Sequence, residues 1–200
     1  MPRFGPAYRN YRLRSATMPA IGNVAIRSTG SSRAYSQNQT RMAIRLMSIA
    51  VLSGRIGYAV FEDGRLKDWK ISRKAAKSED DLRAVLDRWI RDIAPDAVVT
   101  EELTPTSRKR GRSVRSLATI RAFLAERNLL HVLIVRERPF RNKYVEAEYL
   151  ITKFPELAPW KPVREKFYDN EPHSVVIFEA VALAQQVLRD PTRHLAKALG

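Results

Sequence analysis

Glu179 lies in the run Val175-Val176-Ile177-Phe178-Glu179-Ala180-Val181-Ala182-Leu183-Ala184, the one acid among apolar residues. Burying a lone carboxylate is costly unless a metal or a cation holds it. Two readings stand: a metal-bound position, or one that pairs with a core Arg or lies on a helix's polar edge. Glu101 and Glu102 close the short, mostly apolar run 97–100. The C-terminal ends of buried strands are where ligand sites form in open α/β sheets. Strand alternation sends neighbouring side chains to opposite faces, so Glu101 is the candidate of the two. The competing reading is a strand terminus with two solvated acids. Asp169, Glu171 and His173 gather just before the Glu179 run, where acids are also favoured as caps by a helix dipole.

The chain has no cysteine, and its three histidines lack metal-ligand spacing. That excludes disulfides, Cys-based zinc and a thiol nucleophile. A metal would rest on carboxylate oxygens, which points to Mg²⁺ or Mn²⁺. There is no Ser-His-Asp spacing, phosphate-cradling glycine loop or metalloprotease motif.

Two basic clusters flank these acids. Arg108, Lys109, Arg110, Arg112 and Arg115, with Gly111 among them, follow the Glu101 strand directly. Arg136, Arg138, Arg141 and Lys143 follow the next apolar run. Both clusters begin at strand ends, which places them on one sheet edge, and Phe140, Tyr144 and Trp160 are aromatic enough to stack on unpaired bases. The whole chain carries 36 Lys and Arg against 21 Asp and Glu, a net charge of +15. Such an excess binds phosphate backbones through counterion release. Nucleic acid is the expected partner, ahead of an anionic membrane surface or the bland alternative of a merely basic soluble protein. No stretch approaches the ~20 continuous apolar residues of a membrane span.

The elements that must position these residues follow from hydrophobic period and turn chemistry. Residues 45–51 read as an apolar strand, then a Ser53-Gly54 turn, a second strand, the hairpin turn Glu62-Asp63-Gly64 and a third strand over 65–72. Ser78 opens a helix with acids in its first turn. Leu82, Val85, Leu86, Trp89, Ile90 and Ile93 keep its period until Pro95. A strand at 97–100, a helix over roughly 114–127, a strand at 130–135, a helix over 143–154, a loop over 155–162 and a helix over roughly 172–188 complete the body, with a short basic tail over 191–200. The order is βββαβαβαα, an α/β mixed sheet whose middle strands run parallel because helical crossovers join them. A domain of about 150 residues buries roughly 70% of its unfolded surface, enough for its own core.

Residues 1–44 differ in kind. They hold seven Arg, no Lys and no acid, with no hydrophobic period. That composition is expected to be disordered. Three readings remain open: an electrostatic arm on nucleic acid, an acid-free targeting segment, or upstream sequence before a start at Met42 or Met47. Arg33-Ala34-Tyr35-Ser36 is similar to a mitochondrial processing site. Location is therefore expected to be cytoplasmic and nucleoid-associated, with the mitochondrial matrix as the alternative.

The text around residues 45–61, with Gly57-Tyr58 opening the second strand, resembles the RuvC type of Holliday junction resolvase within the ribonuclease H-like group. The resemblance implies the same fold over roughly residues 45–190. It implies phosphodiester hydrolysis by two divalent ions ~4 Å apart, held by acids from the first strand, the fourth strand's end and the last helix. Glu101 and Glu179 match the second and third of these, the latter with Glu for Asp. Seven residues before Gly57, where the family has its first-strand Asp, stands Ala50. Leu52 stands where the family has a turn glycine, and Val176 where it has an acid or His three residues before the last ligand. Either Ala50 replaces a natural Asp, or it is native and the chain is a nuclease kept for binding. The further departures at Leu52 and Val176 favour the second. The resemblance thus implies a Mg²⁺- or Mn²⁺-dependent endonuclease on structured or branched DNA, DNA rather than RNA, working as a homodimer. The alternative is a catalytically degenerate nucleic-acid-binding subunit of a larger assembly.

Overall fold

The computed structural model describes residues 44–52, 54–105, 107–163 and 171–199. The expectations for residues 1–43, for Ser53 and for Asp169 lie outside the described residues. Strands β1 (Arg45–Leu52), β2 (Arg55–Glu62) and β3 (Arg65–Ser72) precede helix α1 (Glu79–Ile93), strand β4 (Ala97–Glu102), helix α2 (Arg112–Glu126) and strand β5 (Leu130–Val135). Helices α3 (Lys143–Lys153), α4 (Val175–Arg189) and α5 (Pro191–Leu199) follow. The five strands form one sheet in the order β3-β2-β1-β4-β5. β1, β2 and β3 pair antiparallel, while β1, β4 and β5 pair parallel, as the crossover helices require.

Local chemistry explains the joints. The β2–β3 hairpin turns on Asp63 and Gly64, both with positive φ (50° and 75°), which is the two-residue turn whose twist matches paired strands. Ser78 caps α1 by accepting a hydrogen bond from the Asp81 amide at 3.1 Å. The start of β1 is tied to the end of α1: the Arg45 amide donates to Asp96 Oδ2 at 2.7 Å and its guanidinium to the Ile93 carbonyl at 2.7 Å.

Strand β1 is buried on both faces, so its alternation sorts residues between two cores. Met47, Ile49 and Val51 join Tyr58 and Val60 under α1 and α2, with Tyr58 edge-on to Trp89 at 4.7 Å. Leu46, Ala50, Ala59 and Phe61 lie under α3 and α4. α4 is apolar nearly all round, the pattern of a buried helix. It sits close to the sheet because small residues face it. A Cβ added at Gly57 would stand 3.0 Å from Val176 Cγ1 and 3.1 Å from the Lys70 carbonyl oxygen. β3 forms one sheet edge and carries exposed Arg65, Lys67, Asp68 and Lys70, charges that discourage edge-to-edge pairing.

Two expectations shift. α2 begins at Arg112 rather than near residue 114, because Gly111 takes φ 52°, ψ −117° at the N-cap, a backbone region open to glycine. Arg112 therefore stands on the helix's first turn and not in the preceding loop. Pro155–Trp160, expected as a loop, winds into a 3₁₀ turn. Among the described residues no helix is long and apolar enough to cross a membrane.

Candidate functional site

Glu101 ends the buried part of β4 on the same face as Ala97 and Val99, beneath α4. Its side chain is 5% exposed. Glu179, one turn into α4 and 15% exposed, faces the same point. Between the two carboxylates lies the ammonium of Lys109, itself only 8% exposed. Lys109 Nζ stands 2.9 Å from Glu101 Oε2 and 3.8 Å from Glu179 Oε2, and donates to the Val51 carbonyl at 2.6 Å. The β1–β4 ladder ends at Ile49–Thr100. Beyond it, Lys109 takes up a carbonyl of β1. Arg138 Nη2 approaches Glu101 Oε1 at 3.9 Å from the half-exposed rim. Two carboxylates and two cations thus form a neutral cluster, which is the condition for keeping such charges out of water.

The loop that delivers Lys109 is folded on itself. The Thr104 amide donates to Ser107 Oγ at 2.9 Å, and the Ser107 amide to the Thr104 carbonyl at 2.9 Å. Glu179 is therefore charge-paired, the reading set against a metal-bound one, and its partner is a lysine from the basic loop and not a core Arg. A buried acid pair in apolar context calls for a cation, and that was the available signal for Lys109; a basic loop alone does not reveal which of its side chains turns inward.

The positions without acids form an apolar patch beside this cluster. Ala50 pairs across β1–β2 with Gly57, and Val176 of α4 packs on Gly57. Ala50 and Val176 are both fully buried. Neither offers an oxygen donor, and among the described residues no three His, Asp or Glu side chains converge as a metal site would need. The residues present do not fit a pair of divalent ions, since Ala50 and Val176 add no side-chain oxygen and Lys109 stands between Glu101 Oε2, Glu179 Oε2 and the Val51 carbonyl.

Above the cluster opens a cleft of about 520 Å³, lined by Arg108, Arg136, Arg138, Phe140, Arg141, Asn142, Lys143, Tyr144, Glu146, Glu171 and Glu179. Arg108, Arg138 and Arg141 are exposed there. Other members of the two basic clusters have different surroundings. Lys109, expected on a phosphate-facing loop, turns inward. Arg136, also expected to face phosphate, is 4% exposed and holds Glu146 Oε2 at 2.7 Å and the Glu137 carbonyl at 2.6 Å. Arg110 turns back on the carbonyls of Ser107 and Lys109. Arg112 and Arg115 line a separate cavity of about 250 Å³ against Ala75–Glu79 and α1. Lys143 pairs with Glu171. Phe140 leans on Tyr149 with ring centroids 4.9 Å apart. Trp160 is exposed and is not among the cleft's lining residues.

Glu171 and His173 do not cap α4, which has no side-chain cap bond and no acid in its first turn. The Glu171 carbonyl accepts from Arg55 at 3.0 Å, and His173 contacts Arg73. Desolvation, then the nearby Arg55 and Arg73 charges, hold the His173 ring below its ordinary pKa.

No family model matches the sequence, and no curated protein matches it. Solved structures do. The fowlpox virus resolvase in complex with Holliday junction DNA aligns with a TM-score of 0.51 at 16% identity, over 74% of this chain and 99% of that one. The fold is ribonuclease H-like, of the resolvase type. Thermus thermophilus RuvC aligns with a TM-score of 0.44 at 11% identity, over 72% and 96% of the two chains. The yeast mitochondrial Holliday junction resolvase aligns with a TM-score of 0.44 at 13% identity, over 78% and 80%. At 16% identity the likeness to the fowlpox protein shows a shared fold.

Proposed function

We propose that this protein binds branched DNA on the resolvase-type fold without cutting it. The observation that carries the reading is the cleft beside Glu179, where exposed Arg108, Arg138 and Arg141 surround Tyr144 and Phe140. Cations spaced around a groove neutralise phosphates, and aromatic rings hold unpaired bases such as those at a branch point. The fowlpox protein of like fold is seen with a Holliday junction, which sets the substrate to try first. The absence of cutting rests on Ala50 and Val176, which supply no ligand where a two-metal reaction requires oxygen donors. The retained pair Glu101 and Glu179 is what the opposing reading, a Mg²⁺- or Mn²⁺-dependent endonuclease, has in its favour. A four-way junction has two-fold symmetry, and the homodimer implied by the resemblance would match it; sedimentation with and without junction reads that directly.

The test is salt dependence. Each phosphate neutralised contributes about 0.9 to the slope of log affinity against log salt. The triple variant Arg108→Ala, Arg138→Ala, Arg141→Ala is expected to flatten the slope for a four-way DNA junction by up to ~2.7. It should weaken junctions of different sequence alike, because phosphate contacts position without specifying. An unchanged slope would remove the cleft from the binding surface. Equal affinity for a junction and for an unbranched duplex would remove the preference for branching, and an RNA junction bound equally well would remove the preference for DNA.

A further inference from the structure

We infer that Lys109 is a resident cation that takes the place of a divalent ion between Glu101 and Glu179. Three oxygens converge on its Nζ: Val51 O at 2.6 Å, Glu101 Oε2 at 2.9 Å and Glu179 Oε2 at 3.8 Å. A backbone carbonyl and two carboxylates from three separate elements make a hard-cation donor set. An ammonium differs from Mg²⁺ or Mn²⁺ in carrying one charge and in being tethered, so it offsets one of the two negative charges permanently and holds no water for reaction. Its charge also suits what is left of the ligand set. With Ala50 and Val176 apolar, the two carboxylates carry about two negative charges, and Lys109 with Arg138 at the rim balances them. A divalent ion added beside both cations would leave an excess of positive charge around two largely buried carboxylates, which is costly.

The exchange has a second consequence. Because Lys109 is covalently part of the 103–111 loop, its buried contacts fasten that loop to β1, β4 and α4 at once. Arg108, the neighbouring residue, is thereby set at the cleft rim. In this protein the cation between the acids positions the basic loop.

The inference concerns the carboxylate pair and stands or falls apart from DNA binding. The experiment follows thermal unfolding of the full chain with Mn²⁺ at about 1 mM or with a chelator. Wild type should show no Mn²⁺-dependent shift in Tm, because Lys109 leaves the carboxylate pair no free site to add linkage stabilisation. Lys109→Met keeps the aliphatic stem and removes the charge, leaving two acids unpaired. Its Tm should fall by about 10 °C, and Mn²⁺ should restore about 4 °C or more of that loss. The double variant Lys109→Met, Glu179→Gln, with one carboxylate gone, should lose most of the Mn²⁺ response. If Lys109→Met does not fold in chelator, its recovery on refolding in Mn²⁺ gives the same answer, and failure to recover there overturns the inference. A wild-type Tm raised by Mn²⁺, or a Lys109→Met protein indifferent to it, would equally overturn it. A Mn²⁺ titration of wild type followed by electron paramagnetic resonance supplies the check that needs no variant: a saturable single site contradicts a resident Lys109 cation.

Discussion

Val176 and Glu179 are one helical turn apart on α4, yet the ground beneath them is opposite in kind. Under Val176 lie Gly57 and its cross-strand partner Ala50, dry and packed to contact. Under Glu179 lies Glu101, with Lys109 between. The difference shows two ways of settling a helix on a sheet. Where no acid stands, apolar atoms close the space and gain from burial. Where acids stand, their charge cannot be left alone, so a cation from the chain reaches them. The first solution is local and the second draws in a loop from outside the strand and helix that hold the acids.

The comparison can be broken most severely on its apolar side. Val176→Asp puts an unpaired carboxylate against Gly57 and is expected to cost about 3–5 kcal/mol, read as a lowered midpoint in urea unfolding. A cost below about 1 kcal/mol would mean that water or Lys109 reaches this patch, and that the two halves are one polar site. Gly57→Ala is the next largest. Its new methyl meets both Val176 and the fixed Lys70 carbonyl, an overpacking worth roughly 1–3 kcal/mol. Val176→Ala in the same chain should recover part of that loss, so the double-variant cycle departs from additivity. Additive costs would place Val176 elsewhere.

Acid unfolding sharpens the charged side once the response of His131 is removed. His131 shares a 2.7 Å hydrogen bond with Thr100, next to Glu101, and burial, then Arg121, push its pKa from 6.5 down to about 4. A folded pKa below the unfolded one means that the unfolded chain binds the extra proton. Stability from the neutral ring is therefore full above pH ~6.5 and is lost as pH falls towards 4. Because the ring is only partly buried, the loss is discounted to about 1–2 kcal/mol. His131→Asn should flatten that segment of the stability profile, and a profile as steep as wild type's would assign the slope to other groups. The smallest effect is at the surface: Arg83→Ala cuts only exposed pairs with Glu79 and Glu126 and should leave Tm within error.

Much of the fold was legible because its signals are local. Asp63-Gly64 specifies the hairpin, Ser78 and its following acids open α1, and the apolar runs at β4 and β5 imply buried parallel strands. Glu101 and Glu179 were legible as candidates from their apolar surroundings, and the structure brings them to one point. What local pattern does not carry is the direction of a long flexible side chain. Lys109 and Arg136 sit in segments that look uniformly basic, yet both turn inward to acids far along the chain or across a loop, Lys109 to Glu179 and Arg136 to Glu146. Arg112 moved for a backbone reason, since Gly111 starts the helix earlier than the hydrophobic period suggests. The role of Val176 depends on contact with Gly57, 119 positions away by subtraction of their numbers, and no spacing rule links such a pair.

The central claim is that Lys109 takes the place of a metal ion between the acids and that the cleft binds branched DNA without metal-dependent cutting. Its most direct test uses wild-type protein and an end-labelled four-way DNA junction, incubated in chelator, in Mg²⁺ and in Mn²⁺ at matched ionic strength. Affinity is expected to agree within about twofold across the three, less than half a kcal/mol, with the junction intact in each. Metal-dependent nicking that Glu101→Gln abolishes would contradict the account, because the carboxylates would then be holding an ion that Lys109 is claimed to replace.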